Sequence, residues 1–206
     1  DLSQSDKVTS GINSEFGEVT WFYPSLTNSQ ANGGDGENDR YVTYNYLEKV
    51  WYFGSLERTA WIDRGVRPFP IATADGYVYN HEIGYDDDGS AMDSFIESAV
   101  IDIGDGDKFA LIGKVVPDLT FDGSTALSTP QATFTVKARN FPGANFSSTA
   151  SGTTTRTSTS PVEEFTDQIF LRARGRSFAL RIESNALGSK WKLGSPRIEL
   201  REDGKR

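Results

Sequence analysis

The chain has 206 residues, no cysteine, one histidine, one methionine and a formal net charge of −8. The missing cysteines exclude disulfide frameworks, cysteine-ligated zinc, iron–sulfur clusters and thiol nucleophiles, and multi-histidine metal sites fall with the single His81. An excess of acids, 29 against 21 basic residues, disfavours nonspecific attachment to nucleic-acid phosphates, and no apolar run approaches the roughly 18 residues of a membrane span. The length allows one large domain or two small ones. The only methionine is Met92, so the chain does not begin where translation would, which predicts a fragment or a processed product.

Turn residues and aromatics dominate: 20 Gly, 13 Phe and 8 Tyr, with many Thr, Val and Ile. No window carries the i, i+3, i+4, i+7 apolar spacing of an amphipathic helix. Short strands are predicted instead, beginning with Glu18–Tyr23 (EVTWFY), which stops at Pro24. The polar, Gly-rich Ser25–Asp39 predicts a long mobile loop. Arg40–Tyr46 and Lys49–Phe53 then pair across Leu47–Glu48 as a tight hairpin. Arg58–Ile62, Pro70–Thr73 and Tyr77–Ile83 follow, the last two joined by Ala74–Asp75–Gly76. An Asp-Gly turn suits the strand twist because Gly accepts the positive φ of a primed turn. Strands of about five residues, recurring every 8–12 with an aromatic in each, predict propeller blades, about two of them.

Beyond Asp86–Ser90 the strands lengthen: Ser94–Ile103, Phe109–Phe121, Ala132–Ala138, Gln168–Ala173, Ser177–Ile182 and Arg197–Arg201. These predict an antiparallel β-sandwich of about seven strands. The Ser/Thr-rich stretch Phe146–Pro161 predicts an exposed loop outside any core. The fold class expected is therefore all-β, with partial β-propeller blades over residues 1–88 and a β-sandwich over 89–206. Charge divides along the chain as well. Residues 1–103 hold 6 Lys/Arg and 18 Asp/Glu, and residues 104–206 hold 15 and 11.

Among candidate sites, Asp86 and Asp88 in the DDDG run, with Asp102, Asp105 and Asp107, could offer carboxylates to a hard cation. They lack EF-hand spacing and adjoin glycines, so they read first as turn residues. His81 and Glu82 are neighbours on a presumed strand, point to opposite faces and share no site; no Gly-x-Ser-x-Gly elbow accompanies them. No catalytic or cofactor-binding set emerges. Arg172, Arg174 and Arg176, with Arg181, Lys190, Lys192 and Arg197, form a basic C-terminal segment. On an otherwise acidic chain it predicts docking to a neighbouring subunit.

One ordered series resembles a known family. EVTWFYPS at Glu18–Ser25, DRYVTYNYLEKVWYFGSLERTAWID at Asp39–Asp63, DGYVYNHEIG at Asp75–Gly84 and IDIGDGDK at Ile101–Lys108 resemble the C-terminal part of tail nozzle proteins of short-tailed bacteriophages. These are also called tail tubular protein B or packaged-DNA stabilisation proteins. LRARGRSFA at Leu171–Ala179, RIES at Arg181–Ser184, WKLGSPR at Trp191–Arg197 and the terminal DGKR resemble that family's ending. The resemblance implies a non-enzymatic virion protein of the phage tail, assembled as a ring, typically of six copies, that retains packaged DNA and lets it pass on ejection. Its implied partners are further copies of itself, a tail adaptor, tail fibres, and DNA passing without specific binding. No cofactor is implied. The insertion Asn28–Asn38 and the Phe146–Pro161 loop depart from the family pattern. A carbohydrate-binding β module for a host-surface glycan is the alternative, and a polysaccharide-degrading enzyme using an acidic pair is a third reading.

Overall fold

Seventeen short strands and two 3-10 turns, Leu2–Lys7 and Gln30–Asn32, make up the regular structure of the described residues. The computed structural model describes residues 2–125, 129–141, 143–144 and 156–204. Every sheet is antiparallel and none closes into a barrel, so the protein is all-β. Two compact units divide the chain, Asp1–Ile83 and Gly84–Arg206.

In the first unit, β1 (Thr9–Asn13), β2 (Glu18–Tyr23), β3 (Arg40–Asn45) and β4 (Val50–Ser55) form a four-stranded meander in chain order. A second meander joins β5 (Ala60–Ile62), β6 (Ile71–Ala74) and β7 (Tyr77–Asn80). The β6–β7 turn has the expected geometry, with φ of 52° at Asp75 and 78° at Gly76. Chain-order meanders have the connectivity of propeller blades.

In the second unit, the edge-to-edge order β13–β12–β15–β8 builds a sheet from Arg156–Glu163, Gln131–Arg139, Ser177–Ser184 and Ser94–Glu97, and β9 (Ile101–Asp102) also pairs with β15. A second sheet orders β14 (Ala173–Gly175), β10 (Ala110–Val116) and β17 (Arg197–Glu202), and a small one pairs β11 (Leu119–Thr120) with β16 (Lys192–Leu193). Period-two patterning fills the space between the sheets. Phe134 and Val136 of β12, Leu180 and Ile182 of β15, and Ile112 and Val115 of β10 share one buried cluster. The register of β10 against β17 shifts between Ile112 and Lys114. That irregularity at Gly113 lets Val115, rather than Lys114, face the core.

Several sequence expectations are corrected. Ser25–Asp39 is a packed loop. Its Ser25 backbone N–H and Oγ donate to the two Asp39 carboxylate oxygens at 2.6 and 2.7 Å. Asn38 donates to the Lys7 carbonyl at 2.9 Å, and Ser29 and Asn38 are buried. Local side-chain caps supply the order that an apolar pattern would have signalled elsewhere.

Part of the Ser/Thr-rich stretch is strand β13, paired along its length with β12, and Val162 lies in the core; residues 145–155 lie outside the described residues. The supposed single strand Ser94–Ile103 is two, β8 and β9. Phe109–Phe121 breaks at Pro117–Asp118, where the lost donor and a φ of 49° at Asp118 end the ladder. Gln168–Ala173 is largely irregular, with Ile169 bridging Val115 before β14 begins. The unit division also redistributes charge. Residues 1–83 carry 6 basic and 12 acidic side chains and residues 84–206 carry 15 and 17. Both units are therefore net acidic, and the basic character is confined to the C-terminal segment.

Candidate functional site

The strands of the first meander are apolar at both parities, and the register sorts them onto two faces. Gly11, Phe22, Thr43 and Tyr52 share one face; Ile12, Trp21, Val42, Tyr44, Trp51 and Phe53 share the other. The first face is covered over β1, β2 and part of β3, while Tyr52 and Val50 of β4 stay exposed. Phe22, Thr43 and Asn13 are buried, and Trp61 of β5 stacks on Phe22 at 5.7 Å. Trp61 Nε1 donates to the Ile12 carbonyl at 2.9 Å. Ser14 N–H to Asp63 and Arg64 to Glu15 add polar ties between the two meanders.

No segment of the first unit pairs with β4 on its outer edge, and the second face is open beside it. Trp51 is 63% exposed and Phe53 81%. Trp51 packs on Tyr44 at 4.6 Å and stacks on Trp21 at 6.0 Å. Ile12 adds a half-exposed aliphatic side chain on the far strand. Arg40 is the only charged residue whose register places it on this face. Contiguous aromatic surface of this kind on a folded domain marks an interaction site. Sequence reasoning took these aromatics as one marker per strand in a propeller-like repeat. The signal it passed over is that β2, β3 and β4 are apolar on alternate and intervening positions alike, the pattern of strands buried from both sides.

Acids cluster at the margin of the covered face. Burial first, then the Glu18 carboxylate, pushes the Tyr52 and Tyr41 hydroxyls up. Partial desolvation, then Glu18 and Glu15, raises Glu82, while a 3.1 Å hydrogen bond from Asn13 opposes the shift. Glu57, on the surface, is raised by partial desolvation and then by Asp75 and Asp35. His81 follows β7 with its Nε2 accepting from Arg58 at 2.8 Å, its ring 4.7 Å from Trp61. Glu82 has a φ of 60°, so neither residue sits in the regular strand the sequence suggested.

The basic residues are distributed over three sheets. Arg174 and Arg176 lie over the Phe109 ring at 4.2 and 4.7 Å, and Arg174 also pairs with Asp203. Arg181 bridges Glu97 and Glu183 and lies 3.9 Å over Phe95. Lys190 donates to the Tyr85 hydroxyl at 3.0 Å. Arg172, Lys192 and Arg197 are exposed. Beside Arg181, a polar cleft of about 400 Å³ is lined by Asp93, Phe95, Thr133, Glu183 and Asn185. Its arginine is already neutralised by two carboxylates.

Asp86 accepts from the Gly89 N–H, and Asp88 has the positive φ of a turn. Asp102 lies in β9, with Asp105 and Asp107 in the following turn. Among the described residues, no three His, Asp or Glu side chains gather as a metal site, and no helix is long and apolar enough to cross a membrane. No family model matches the chain, and no curated protein matches it at a significant level.

Proposed function

We propose that this protein is a non-enzymatic structural subunit, or part of one, of the ring-shaped tail nozzle of a short-tailed bacteriophage. In that reading it acts in the virion, where the ring retains packaged DNA and lets it pass on ejection. The observation that carries the proposal is the open aromatic face of the first meander with the unpaired outer edge of β4 beside it. Such surface is costly to leave in water and serves assembly. The ordered sequence resemblance supplies the identity of the assembly and its six copies. Net acidity of both units suits a wall past which DNA slides, because carboxylates repel phosphates where Lys and Arg would hold them. Tail adaptor and fibres are the further partners of this reading, with Arg172, Lys192 and Arg197 available for docking.

A glycan-binding module is the second reading, favoured by the exposed Trp51 beside Trp21 and Tyr44, since indoles stack on sugar rings. Hydroxyl recognition also needs convergent polar groups, and this face offers few. Size-exclusion chromatography with light scattering, at several concentrations, separates the two readings. A nozzle subunit gives concentration-dependent oligomers and no retardation on polysaccharide columns. A constant monomer mass with polysaccharide retardation overturns it.

A further inference from the structure

In the first unit the two meanders meet through β1 and β5, and each turns an apolar face away from that contact. On the first meander it is the aromatic face of Trp21, Tyr44, Trp51 and Phe53. On the second it is the outer face, where the register aligns Ala60, Thr73 and Val78 in one row and Ile62, Ile71 and Asn80 in the next. Ile62 is 64% and Val78 66% exposed, whereas Ala72 and Ala74 on the inner face are buried.

We infer that the aromatic face of one copy receives the outer face of the second meander of another copy, head to tail. The inference rests on the reading of the protein as a ring subunit and names the surfaces that close the ring. Three observations select this occupant. The two faces differ in size, large aromatics on one and Ala, Thr and β-branched aliphatics on the other, so they interdigitate as facing sheets do. The chain already uses the same large-into-small packing within the unit, where Trp61 of the second meander occupies the space over Gly11 of the first. The contact between copies repeats that large-into-small mode on the opposite faces of the two meanders. Finally, the registers place no acidic residue on either face, so the contact escapes the mutual repulsion of net-acidic chains.

Because the two faces are different, the contact is heterologous: each copy uses one face as donor and the other as acceptor. Such contacts generate rings or open filaments rather than closed isologous pairs.

The test uses the full chain and two exposed-site variants, Phe53→Glu and Val78→Glu, each confirmed folded by circular dichroism. Light scattering should show oligomers for the wild type and monomers for each variant alone. An equimolar mixture of the variants should yield a 1:1 dimer and nothing larger, since the mixture retains one intact pair of faces. Loss of assembly in Phe53→Glu alone, with Val78→Glu assembling normally, means two aromatic faces meet each other and overturns the head-to-tail contact. Oligomers indifferent to both substitutions also overturn it while leaving the nozzle reading intact on other surfaces. A wild type that stays monomeric up to high concentration contradicts both.

Discussion

The Trp61 indole lies directly over Gly11, in the space a side chain at residue 11 would fill, and its Nε1 is fixed by the Ile12 carbonyl 2.9 Å away. This contact, with the Trp61–Phe22 stacking, packs the second meander onto the inner face of the first. Gly11→Val should displace the indole and destabilise the protein by about 1–3 kcal/mol, the usual cost of overpacking. Urea unfolding followed by tryptophan fluorescence checks it, and unchanged stability would remove Trp61 from its role as the coupling residue.

In the second unit, β13 makes a sharper contrast. Val162 is 1% exposed while Thr159, three residues earlier on the same strand, is exposed. Val162→Asp should cost several kcal/mol, because it buries a carboxylate without a partner. Thr159→Asp should stay within about 0.5 kcal/mol of wild type. Thermal melts of the two variants side by side make the comparison; equal effects would mean that β13 is not docked on the core.

Glu97 is held below the usual carboxylate range by Lys137 at 2.8 Å, with Arg181 at 3.2 Å contributing further. Its folded pKa is therefore lower than its unfolded one. The stabilisation is complete above the unfolded value and is lost as pH falls through the folded value. Glu97→Gln should lower stability by about 0.5–1 kcal/mol at pH 7 and leave it unchanged near pH 2. Denaturant midpoints at the two pH values give the answer, and a pH-independent difference would exclude the ion pair as its source.

Glu82 carries the opposite sign. Partial desolvation of this solvent-contacting side chain, then the neighbouring Glu18 and Glu15, raises its folded pKa, so its ionised form carries a small, solvent-screened penalty at neutral pH that vanishes below the unfolded value. Glu82→Gln keeps an acceptor for Asn13 and should raise the neutral-pH melting temperature while leaving the acid-pH value unchanged. A lower melting temperature at pH 7 would show that the carboxylate supports the fold there.

Much of this architecture was legible in the residues, and the failures have physical causes. EVTWFY, RYVTYN and the Asp75–Gly76 turn announced themselves through β-branched and aromatic runs and turn chemistry, and they form β2, β3 and the β6–β7 hairpin. TSGIN escaped notice because its decisive residue, Gly11, is chosen for the absence of a side chain, which only Trp61 explains. Composition hid β13 for a similar reason: Thr and Ser tolerate a strand whose ladder is supplied by β12. Ser25–Asp39 looked mobile because its order comes from Asp39 and Asn28 side chains bonding to backbone within the loop and from Asn38 reaching the distant Lys7 carbonyl, a signal without periodicity. The basic segment was visible as charge alone. Only packing reveals that Arg174, Arg176 and Arg181 are engaged with Phe109, Asp203, Glu97 and Glu183. The open aromatic face was written in strands apolar at both parities, and recognising it required the register.

Imaging the assembled protein by electron cryomicroscopy tests the central claim most directly. A nozzle subunit should give closed rings around an open axial channel, with carboxylates facing the lumen and the aromatic face of every copy covered. Isolated monomers, or rings whose lumen is lined by Arg172, Arg174 and Arg176, would contradict the account.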